Sequence, residues 1–341
     1  MSFTPKILLI YTGGTIGMIR DFDTGALRSF NFDDLLEKIP ELRLLDCDIS
    51  TSAFDEPIDS SNMEPKYWSQ ICNVISGNYD AFDGFVILHG SDTMSYSASA
   101  LSFMLENLKK PVIFTGSQLP IGDLRTDAKE NLITAVQLAS LQRKKKPYIQ
   151  EVCLYFEYKL YRGNRTTKLS AEHFEAFQSP NYPYLAKSGV HLTINDELLL
   201  RVRRKELVVH HSLVTDVLVI HLFPGISEKI LTEMIEKLAY RGIILKTFGA
   251  GNATTHTWFI NLLKKTIENG VPVVNVSQCI SGSVQMGNYE TSTQLRAIGV
   301  ITGKDITIEA AITKMMYLLG QNLAPKVFKT IFETPLRGEM S

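Results

Sequence analysis

The sequence predicts an α/β protein of two domains, each built on a mostly parallel β-sheet. Short β-branched runs alternate with longer segments whose apolar residues recur every three or four positions, which is typical of parallel strands joined by helices. The chain has 341 residues, whereas one hydrophobic core stops growing at about 250–300 residues. We expect a larger N-terminal domain with helices flanking its sheet over residues 1–188, a connector over 189–212, and a smaller flavodoxin- or Rossmann-like domain over 213–341.

The N-terminal domain contains the clearest strand and helix patterns. Four strands are predicted at Lys6–Thr12, Gly84–His89, Pro111–Thr115 and Glu151–Phe156. Apolar residues at helical spacing from Met94 to Leu108 predict a helix after the second strand. A further helix is predicted from Arg125 to the basic run Arg143–Lys146, because cations favour the negative end of a helix dipole.

The pattern changes after Ser179 and then resumes. Ser179–Tyr184 has turn chemistry, and we expect the connector after it to hold a hairpin with Arg201, Arg203 and Arg204. The alternation that follows predicts strands at Val217–His221, Gly242–Thr247 and Val271–Ser277, and helices at Ser227–Tyr240, Thr255–Asn269, Thr307–Gln321 and Pro325–Thr334.

Composition excludes several function classes. The 35 basic and 36 acidic residues leave a net charge of −1, so the chain lacks the positive excess of a nucleic-acid or membrane-docking protein. The first apolar run, Ile7–Tyr11, is too short for a signal peptide, and no run approaches the ~18 residues of a membrane span. Four cysteines without CxxC spacing fit a reducing compartment. We expect a soluble cytoplasmic protein with no nucleic-acid or membrane partner.

Three predicted strands end in polar, glycine-containing turns. These are Thr12–Gly17, His89–Thr93 and Thr115–Gln118. Ligands of open parallel sheets bind at the carboxyl ends of strands, and glycine lets the backbone approach them closely. The turns are rich in hydroxyl groups, and the sequence contains no HxH, HExxH or CxxC motif, so we expect no catalytic metal.

The residues alone leave several interpretations open. Gly13-Gly14-x-x-Gly17 differs from the dinucleotide fingerprint GxGxxG, which leaves a structural turn or a hydroxyl-based active site as better explanations. Asp92 has the position of an ordinary helix N-cap. It can also join Ser91 and Lys168 in a hydroxyl–carboxylate–lysine relay, in which a partly buried lysine serves as general base.

Together these segments resemble the bacterial cytoplasmic (type I) L-asparaginases of the asparaginase/glutaminase family. The matching segments run in family order along almost the whole chain: Tyr11–Met18 (YTGGTIGM), Asp59–Met63 (DSSNM), Gly84–Met94 (GFVILHGSDTM), Ser99–Asn107 (SALSFMLEN), Thr115–Gln118 (TGSQ), Leu160–Lys168 (LYRGNRTTK), Gly249–Asn252 (GAGN), Ser277–Cys279 (SQC) and Leu336–Glu339 (LRGE).

The resemblance implies hydrolysis of L-asparagine to L-aspartate and ammonia through an acyl-enzyme, without a cofactor. It makes Thr15 the nucleophile, and Ser91, Asp92 and Lys168 the group that relays protons and activates water. It also implies a set of substrate-binding residues: Ser60, Ser61, Ser91 and Asp92 for the α-carboxylate and α-ammonium, Ser117 for the amide, and Asn252 reaching into the site of a neighbouring subunit. The implied assembly is a homotetramer made of two intimate dimers.

Three departures from the family pattern affect these expectations. Ser91 replaces the usual threonine and so lacks the methyl group that stiffens χ1. The loop Thr24–Leu27 has no tyrosine to help activate Thr15. The segments that contain Thr167, Lys246 and Cys279 match an allosteric asparagine site of some family members. In that site Lys246 stands where the family has an arginine. A lysine cannot make the bidentate carboxylate contact of a guanidinium, and the sequence leaves cooperativity open.

Other functions remain to be distinguished. A glutaminase is the nearest rival, because one methylene discriminates by only ~1–3 kcal/mol unless the pocket excludes it. A non-catalytic amino-acid sensor would keep the pocket and lose the chemistry, and Ser91 and the missing tyrosine allow this alternative. A dinucleotide-dependent enzyme is disfavoured because no dinucleotide fingerprint accompanies the glycines.

Overall fold

The computed structural model describes residues 3–20, 27–29, 39–201, 205–287 and 290–341. The chain divides into two compact units, Met1–His211 and Ser212–Ser341. The loop residues Thr24–Ala26 and the arginines Arg203 and Arg204 lie outside the described residues.

One mixed sheet organises the described part of the first unit, with strands in the order β8-β7-β6-β5-β4-β3-β1-β2. Its members are β1 Lys6–Tyr11, β2 Asp48–Ala53, β3 Gly84–Leu88, β4 Val112–Thr115, β5 Val152–Phe156, β6 Lys159–Arg162, β7 Ala186–Lys187 and β8 Thr193–Ile194. Neighbours from β2 to β5 are parallel, and those from β5 to β8 are antiparallel. The predicted fold class is confirmed.

The parallel half of this sheet has the order 2-1-3-4-5. In that topology the connections leave in opposite directions from β1 and β3, and ligands bind at the carboxyl ends on either side of this switch point. Every residue of β3, β4 and β5 is buried, as expected for parallel strands covered on both faces. Within the described residues, this unit contains the helices α1 Pro65–Gly77, α2 Met94–Met104 and α3 Ala128–Ser140.

Two predicted helix ends are wrong. Helix α2 ends at Met104, because Leu105–Glu106 forms a short antiparallel pair with Val208–Val209. Helix α3 ends at Ser140, and the basic run belongs to a small hairpin in which Gln142–Arg143 pairs with Lys146–Pro147. Lys144 and Lys145 have φ values of 53° and 59°, the left-handed conformation that a two-residue hairpin turn requires.

The segment predicted as a connector packs with the first unit. Thr193–Ile194 forms β8 at the edge of the main sheet. Arg201, from the predicted hairpin, places a guanidinium nitrogen 2.8 Å from the carboxylate of Asp196.

The second unit contains a parallel sheet in the order β9-β10-β11-β12. Its strands are β9 Val217–His221, β10 Gly242–Thr247, β11 Val273–Ser277 and β12 Ile301–Thr302, and its helices are α4 Glu228–Lys237, α5 Thr257–Glu268, α6 Glu290–Ala297, α7 Ile308–Gly320 and α8 Pro325–Phe332. The predicted smaller α/β domain is therefore present.

A buried ion pair anchors the C-terminal motif Leu336–Glu339. Lys314 of α7 pairs with Glu339, and both side chains are fully buried. The Lys314 ammonium also donates to the backbone oxygens of Phe332 and Thr334, at 2.7 and 2.8 Å. Burial lowers the pKa of Lys314, and Glu339 opposes that shift. The glutamate of this motif thus attaches the chain end to α7.

Candidate active site

Four turns meet at the carboxyl ends of β2, β1, β3 and β4. A methyl group on Gly14 would lie 2.5 Å from the backbone nitrogen of Gly90, and one on Gly90 would lie 2.5 Å from the hydroxyl oxygen of Ser60. Gly14 also has a φ of 90°, which side chains rarely adopt. These glycines allow the turns that carry Thr15, Ser60 and Ser91 to touch at the switch point of the sheet.

Thr15 begins a short 3₁₀ turn, Thr15–Gly17. Ile16 behind it is fully buried, which fixes the turn against the core, while Thr15 itself is half-buried. A hydroxyl on a fixed turn, open on one side, is the arrangement that a nucleophile needs.

The structure brings Ser91, Asp92 and Lys168 together. The Lys168 ammonium donates to the Ser91 hydroxyl oxygen at 2.8 Å and to the Asp92 carboxylate at 2.7 Å. The Lys168 side chain is 17% exposed and that of Asp92 is 65% exposed. This contact joins the turn after β3 to a strand 76 residues later in the chain.

The geometry favours the relay over the helix-cap interpretation of Asp92. The N-cap residues of the turn Ser91–Thr93 and of helix α2 are Gly90 and Thr93, and neither end has a side-chain cap hydrogen bond. Asp92 instead directs its carboxylate to Lys168. An N-cap would have accepted a backbone N–H of the first turn.

A buried cationic cluster precedes Lys168 and fixes its segment. Arg162 donates to Glu151 at 2.6 Å, and both side chains are almost fully buried. The guanidinium groups of Arg162 and Arg165 lie 4.4 and 5.0 Å from the ring centre of Tyr182. Cation–π contacts of this kind are strongest where water is excluded. The cluster therefore holds the turn Gly163–Arg165, from which Lys168 emerges.

A chain of hydrogen bonds fixes the backbone before Ser91. The indole of Trp68 donates to the Ser97 hydroxyl at 2.9 Å, and Ser97 lies 2.8 Å from Nε2 of His89. The other ring nitrogen, Nδ1, lies 2.7 Å from the Gly90 carbonyl oxygen. Because a carbonyl only accepts, Nδ1 carries the proton and Nε2 accepts from Ser97. His89 is therefore a hydrogen-bonded packing residue at the end of β3.

We expect His89 to make the protein less stable in mild acid. Burial lowers the pKa of His89 from 6.5 to about 4. Between these values the unfolded chain binds more protons than the folded one, so the free energy of unfolding falls as the pH drops from 6.5 towards 4. At about 1.4 kcal/mol for each pKa unit, this shift can lower the free energy of unfolding by at most roughly 3 kcal/mol.

Urea unfolding between pH 4 and 7 measures this, with His89→Asn as comparison because asparagine can still donate to Gly90 and does not titrate. The wild type should lose more stability than the variant. Burial, and after it the nearby Asp127, raises the pKa of Glu157 to about 7. Glu157 therefore stabilises the fold as the pH falls, but it does so equally in both proteins and does not affect their difference. Equal slopes for the two proteins would contradict the assignment.

The predicted substrate-binding serines differ in what their side chains contact. Ser60 is buried and its backbone oxygen accepts from Thr93 at 2.7 Å. Ser61 donates its N–H and its hydroxyl to Asp59, at 2.9 and 2.8 Å, and these bonds lower the pKa of Asp59. Ser117 donates its hydroxyl to the Leu119 oxygen at 2.6 Å. Ser61 and Ser117 thus direct their hydroxyl protons into their own turns, which leaves their hydroxyl oxygens to accept from a ligand.

Sequence analysis assigned no role to Gln118, although it closes the TGSQ segment. Its side-chain oxygen accepts from the Ser91 hydroxyl at 3.2 Å. Its backbone N–H donates to Asp127, a buried carboxylate whose pKa burial raises. In the sequence, the contact between Gln118 and Ser91 is indicated only by the position of a polar residue at the end of the turn after β4.

The remaining predicted residues lie apart in the chain. Asn252, in the second unit, exchanges backbone hydrogen bonds with Phe248 in the turn after β10. Lys246 lies on β10 beside β11, and Cys279 follows β11 and is exposed. Thr167 belongs to the first unit, next to Lys168.

The described residues contain neither a metal-binding cluster nor a membrane-spanning helix. In that part of the chain no three histidine, cysteine, aspartate or glutamate side chains converge where a metal ion could bind. No helix within the described ranges has the length and apolar character needed to cross a membrane.

Comparison with known proteins identifies the family. Residues 6–200 match the model of the asparaginase N-terminal domain, and residues 216–332 match that of the glutaminase/asparaginase C-terminal domain. The chain belongs to the asparaginase family. L-asparaginase 1 of Escherichia coli (strain K12), a member of this family, is 42% identical over 337 residues, with 98% of each chain covered. The resemblance to type I L-asparaginases is confirmed.

Solved structures of asparaginase-family proteins agree with the fold. L-asparaginase I from Vibrio cholerae O1 biovar eltor superposes with a TM-score of 0.90 at 40% identity, covering 99% of this chain and all of its own. The thermostable L-asparaginase from Thermococcus kodakarensis gives 0.89 at 32% identity, covering 98% and 99%. The similarity between this chain and the two solved structures therefore extends over both of its units.

Proposed function

We propose that this chain hydrolyses L-asparagine to L-aspartate and ammonia, with Thr15 as nucleophile and Ser91, Lys168 and Asp92 as the proton relay. The observation that carries the proposal is the contact of Lys168 with both Ser91 and Asp92 on a turn that touches the Thr15 turn. Family membership supports the substrate class.

The first half of the reaction forms an ester. The Thr15 oxygen bonds to the side-chain carbonyl carbon of asparagine, and the C–N bond breaks. The amide nitrogen leaves as ammonia and carries away a proton equivalent to the one that Thr15 gives up. Because an amide is a weak electrophile, the oxyanion that develops needs N–H donors, which glycine turns can present at close range.

The second half releases aspartate. A water molecule attacks the ester carbon and gives a proton to Ser91, whose hydroxyl turns and passes its own proton to Lys168. Lys168 acts as the base in its unprotonated form. Thr15 regains a proton as the ester bond breaks, and aspartate leaves. Asp92 orients the ammonium of Lys168, as the third member of a serine-protease triad orients its base.

Substrate recognition follows from charge. A free amino acid needs an anion for its ammonium and several donors for its carboxylate. We assign the ammonium to Asp92, whose carboxylate is largely exposed, and the carboxylate to the turn of Ser60 and Ser61 together with Ser91. The Ser117 backbone contacts the amide.

The finer features of the family complete the proposal. We place the enzyme in the cytoplasm as a homotetramer, with Asn252 serving the site of a neighbouring subunit. Thr167, Lys246 and Cys279 are the residues to examine for activation by asparagine. A rate curve tests this activation: a sigmoidal dependence on asparagine supports it, and a hyperbolic one opposes it. Sedimentation at several concentrations tests the assembly.

An ammonia-release assay tests the activity, with asparagine and glutamine side by side. We expect asparagine to give the higher kcat/KM. A higher value for glutamine would make the chain a glutaminase, and binding of asparagine without ammonia release would make it a sensor. Trapping the aspartyl group with a reactive analogue and mapping it by mass spectrometry should place it on Thr15; another side chain would overturn the mechanism.

Ser91→Thr should leave an active enzyme with equal or higher turnover. Threonine keeps the hydroxyl and adds the methyl that restricts χ1. Steady-state kinetics with asparagine measures the effect. A markedly lower kcat in a variant that folds normally would show that the smaller serine side chain is required at this position.

A further inference from the structure

The Gln118 side chain joins three turns around the candidate relay. Its oxygen, Oε1, accepts from the Ser91 hydroxyl at 3.2 Å. Its nitrogen, Nε2, donates to the backbone oxygens of Ala171 and His173 at 3.3 and 3.1 Å. Ala171 and His173 lie in the turn just after Lys168, so one amide bridges the segments of Ser91 and Lys168.

These contacts fix which way the amide points. Backbone carbonyl oxygens can only accept hydrogen bonds, so Nε2 must face Ala171 and His173. Oε1 then faces Ser91 and can only accept. While Lys168 is protonated, the Ser91 hydroxyl proton therefore points to Gln118, and the lone pairs of its oxygen accept from the Lys168 ammonium at 2.8 Å. Rotation about the C–O bond, which leaves χ1 unchanged, turns that proton to Lys168 when the lysine serves as base.

The backbone of Gln118 is fixed as firmly as its side chain. Its N–H donates to the two carboxylate oxygens of Asp127 at 3.1 and 2.9 Å, and the Leu119 N–H donates there at 3.1 Å. Asp127 is 6% exposed. The fully buried Asn131 donates both to Asp127 and to the Gly116 oxygen, at 3.2 and 3.0 Å. A buried carboxylate with several donors is costly to move.

We infer that Gln118 is a positioning residue that holds the Ser91 hydroxyl in the rotamer in which its oxygen faces Lys168. A serine has three staggered χ1 positions and lacks the methyl that restricts a threonine. The hydrogen bond from Ser91 to Gln118 restricts χ1 of Ser91, as the methyl group of a threonine would. This inference rests on the proposed relay, because Gln118 acts on the reaction only through Ser91.

Gln118→Met tests the inference, since methionine has a similar length and neither donates nor accepts as the amide does. We expect kcat for asparagine to fall about tenfold, which is the scale of one lost hydrogen bond. The Kd for aspartate should change much less than kcat, because Gln118 does not contact the substrate and Ser60 and Ser61 still bind its carboxylate. Gln137→Met, on the exposed face of α3, is the matched control and should keep wild-type kinetics.

Two further backgrounds separate positioning from a general structural effect. In Ser91→Ala, adding Gln118→Met should change kcat less than twofold, because the group that it orients is absent. In Ser91→Thr, the same change should cost only about two- to threefold, because the methyl now restricts the hydroxyl. An equal loss in all three backgrounds, or no loss in the wild-type background, would overturn the inference.

The outcome is distinguishable from failure of the proposed function. If the wild type releases no ammonia, or Thr15→Ala remains active, the proposed chemistry is wrong. If the wild type is active, Thr15→Ala is inactive and Gln118→Met keeps full turnover, only the role of Gln118 is wrong. Circular dichroism and thermal unfolding of each variant show whether a lost activity reflects a lost fold.

Discussion

Thr15→Ala should abolish turnover while leaving the fold and the binding of aspartate intact. The alanine variant keeps the glycine turn and the buried Ile16 but has no oxygen to form the ester. Removing the nucleophile of a hydrolase lowers kcat by roughly 10⁴-fold or more. Ammonia release measures the loss, and calorimetry with aspartate shows whether the pocket survives.

Thr15→Ser is the matched control, because serine restores the hydroxyl. Its turnover should lie between those of the wild type and Thr15→Ala. The alanine variant should also fail to form a covalent adduct with a reactive substrate analogue. If Thr15→Ala kept a substantial part of the wild-type rate, or formed the adduct elsewhere on the chain, Thr15 could not be the nucleophile.

Sequence patterns predicted the strands that carry the site because these strands are buried. Strands β1, β3, β4 and β5 are largely apolar runs, and each was predicted with one end correct and the other end one residue too far out. The edge strand β2, Asp48–Ala53, was missed. Its sequence DISTSA is mostly polar and none of its residues is buried, so it lacks the apolar run by which the other strands were predicted.

Long-range contacts explain the other failures. Helix α2 ends at Met104, where Leu105 and Glu106 pair with Val208 and Val209, which lie far along the chain. The contact of Gln118 with Ser91 spans 27 residues, and its contact with His173 spans 55. Periodicity and turn chemistry report on neighbours a few residues apart. Family motifs brought Ser91 and Lys168 into one group, but they gave no role to Gln118.

Lys168→Met should lower kcat by roughly 10²–10⁴-fold, the range that a positioned general base contributes. The methionine keeps the length of the side chain and removes the group that contacts Ser91 and Asp92. Asp92 is largely exposed, so losing its partner should change stability by less than about 1 kcal/mol. Kinetics with asparagine and urea unfolding measure the two effects. Lys187→Met, at an exposed lysine on β7, is the control and should change neither.

Lys168→Arg separates charge from proton transfer. A guanidinium keeps the positive charge beside Asp92 but stays protonated, so it cannot accept a proton from water. If Lys168 is the base, the arginine variant should be nearly as inactive as the methionine variant and as stable as the wild type. If Lys168 acts only through its charge, arginine should retain most of the turnover, and the base would have to be sought elsewhere around Ser91.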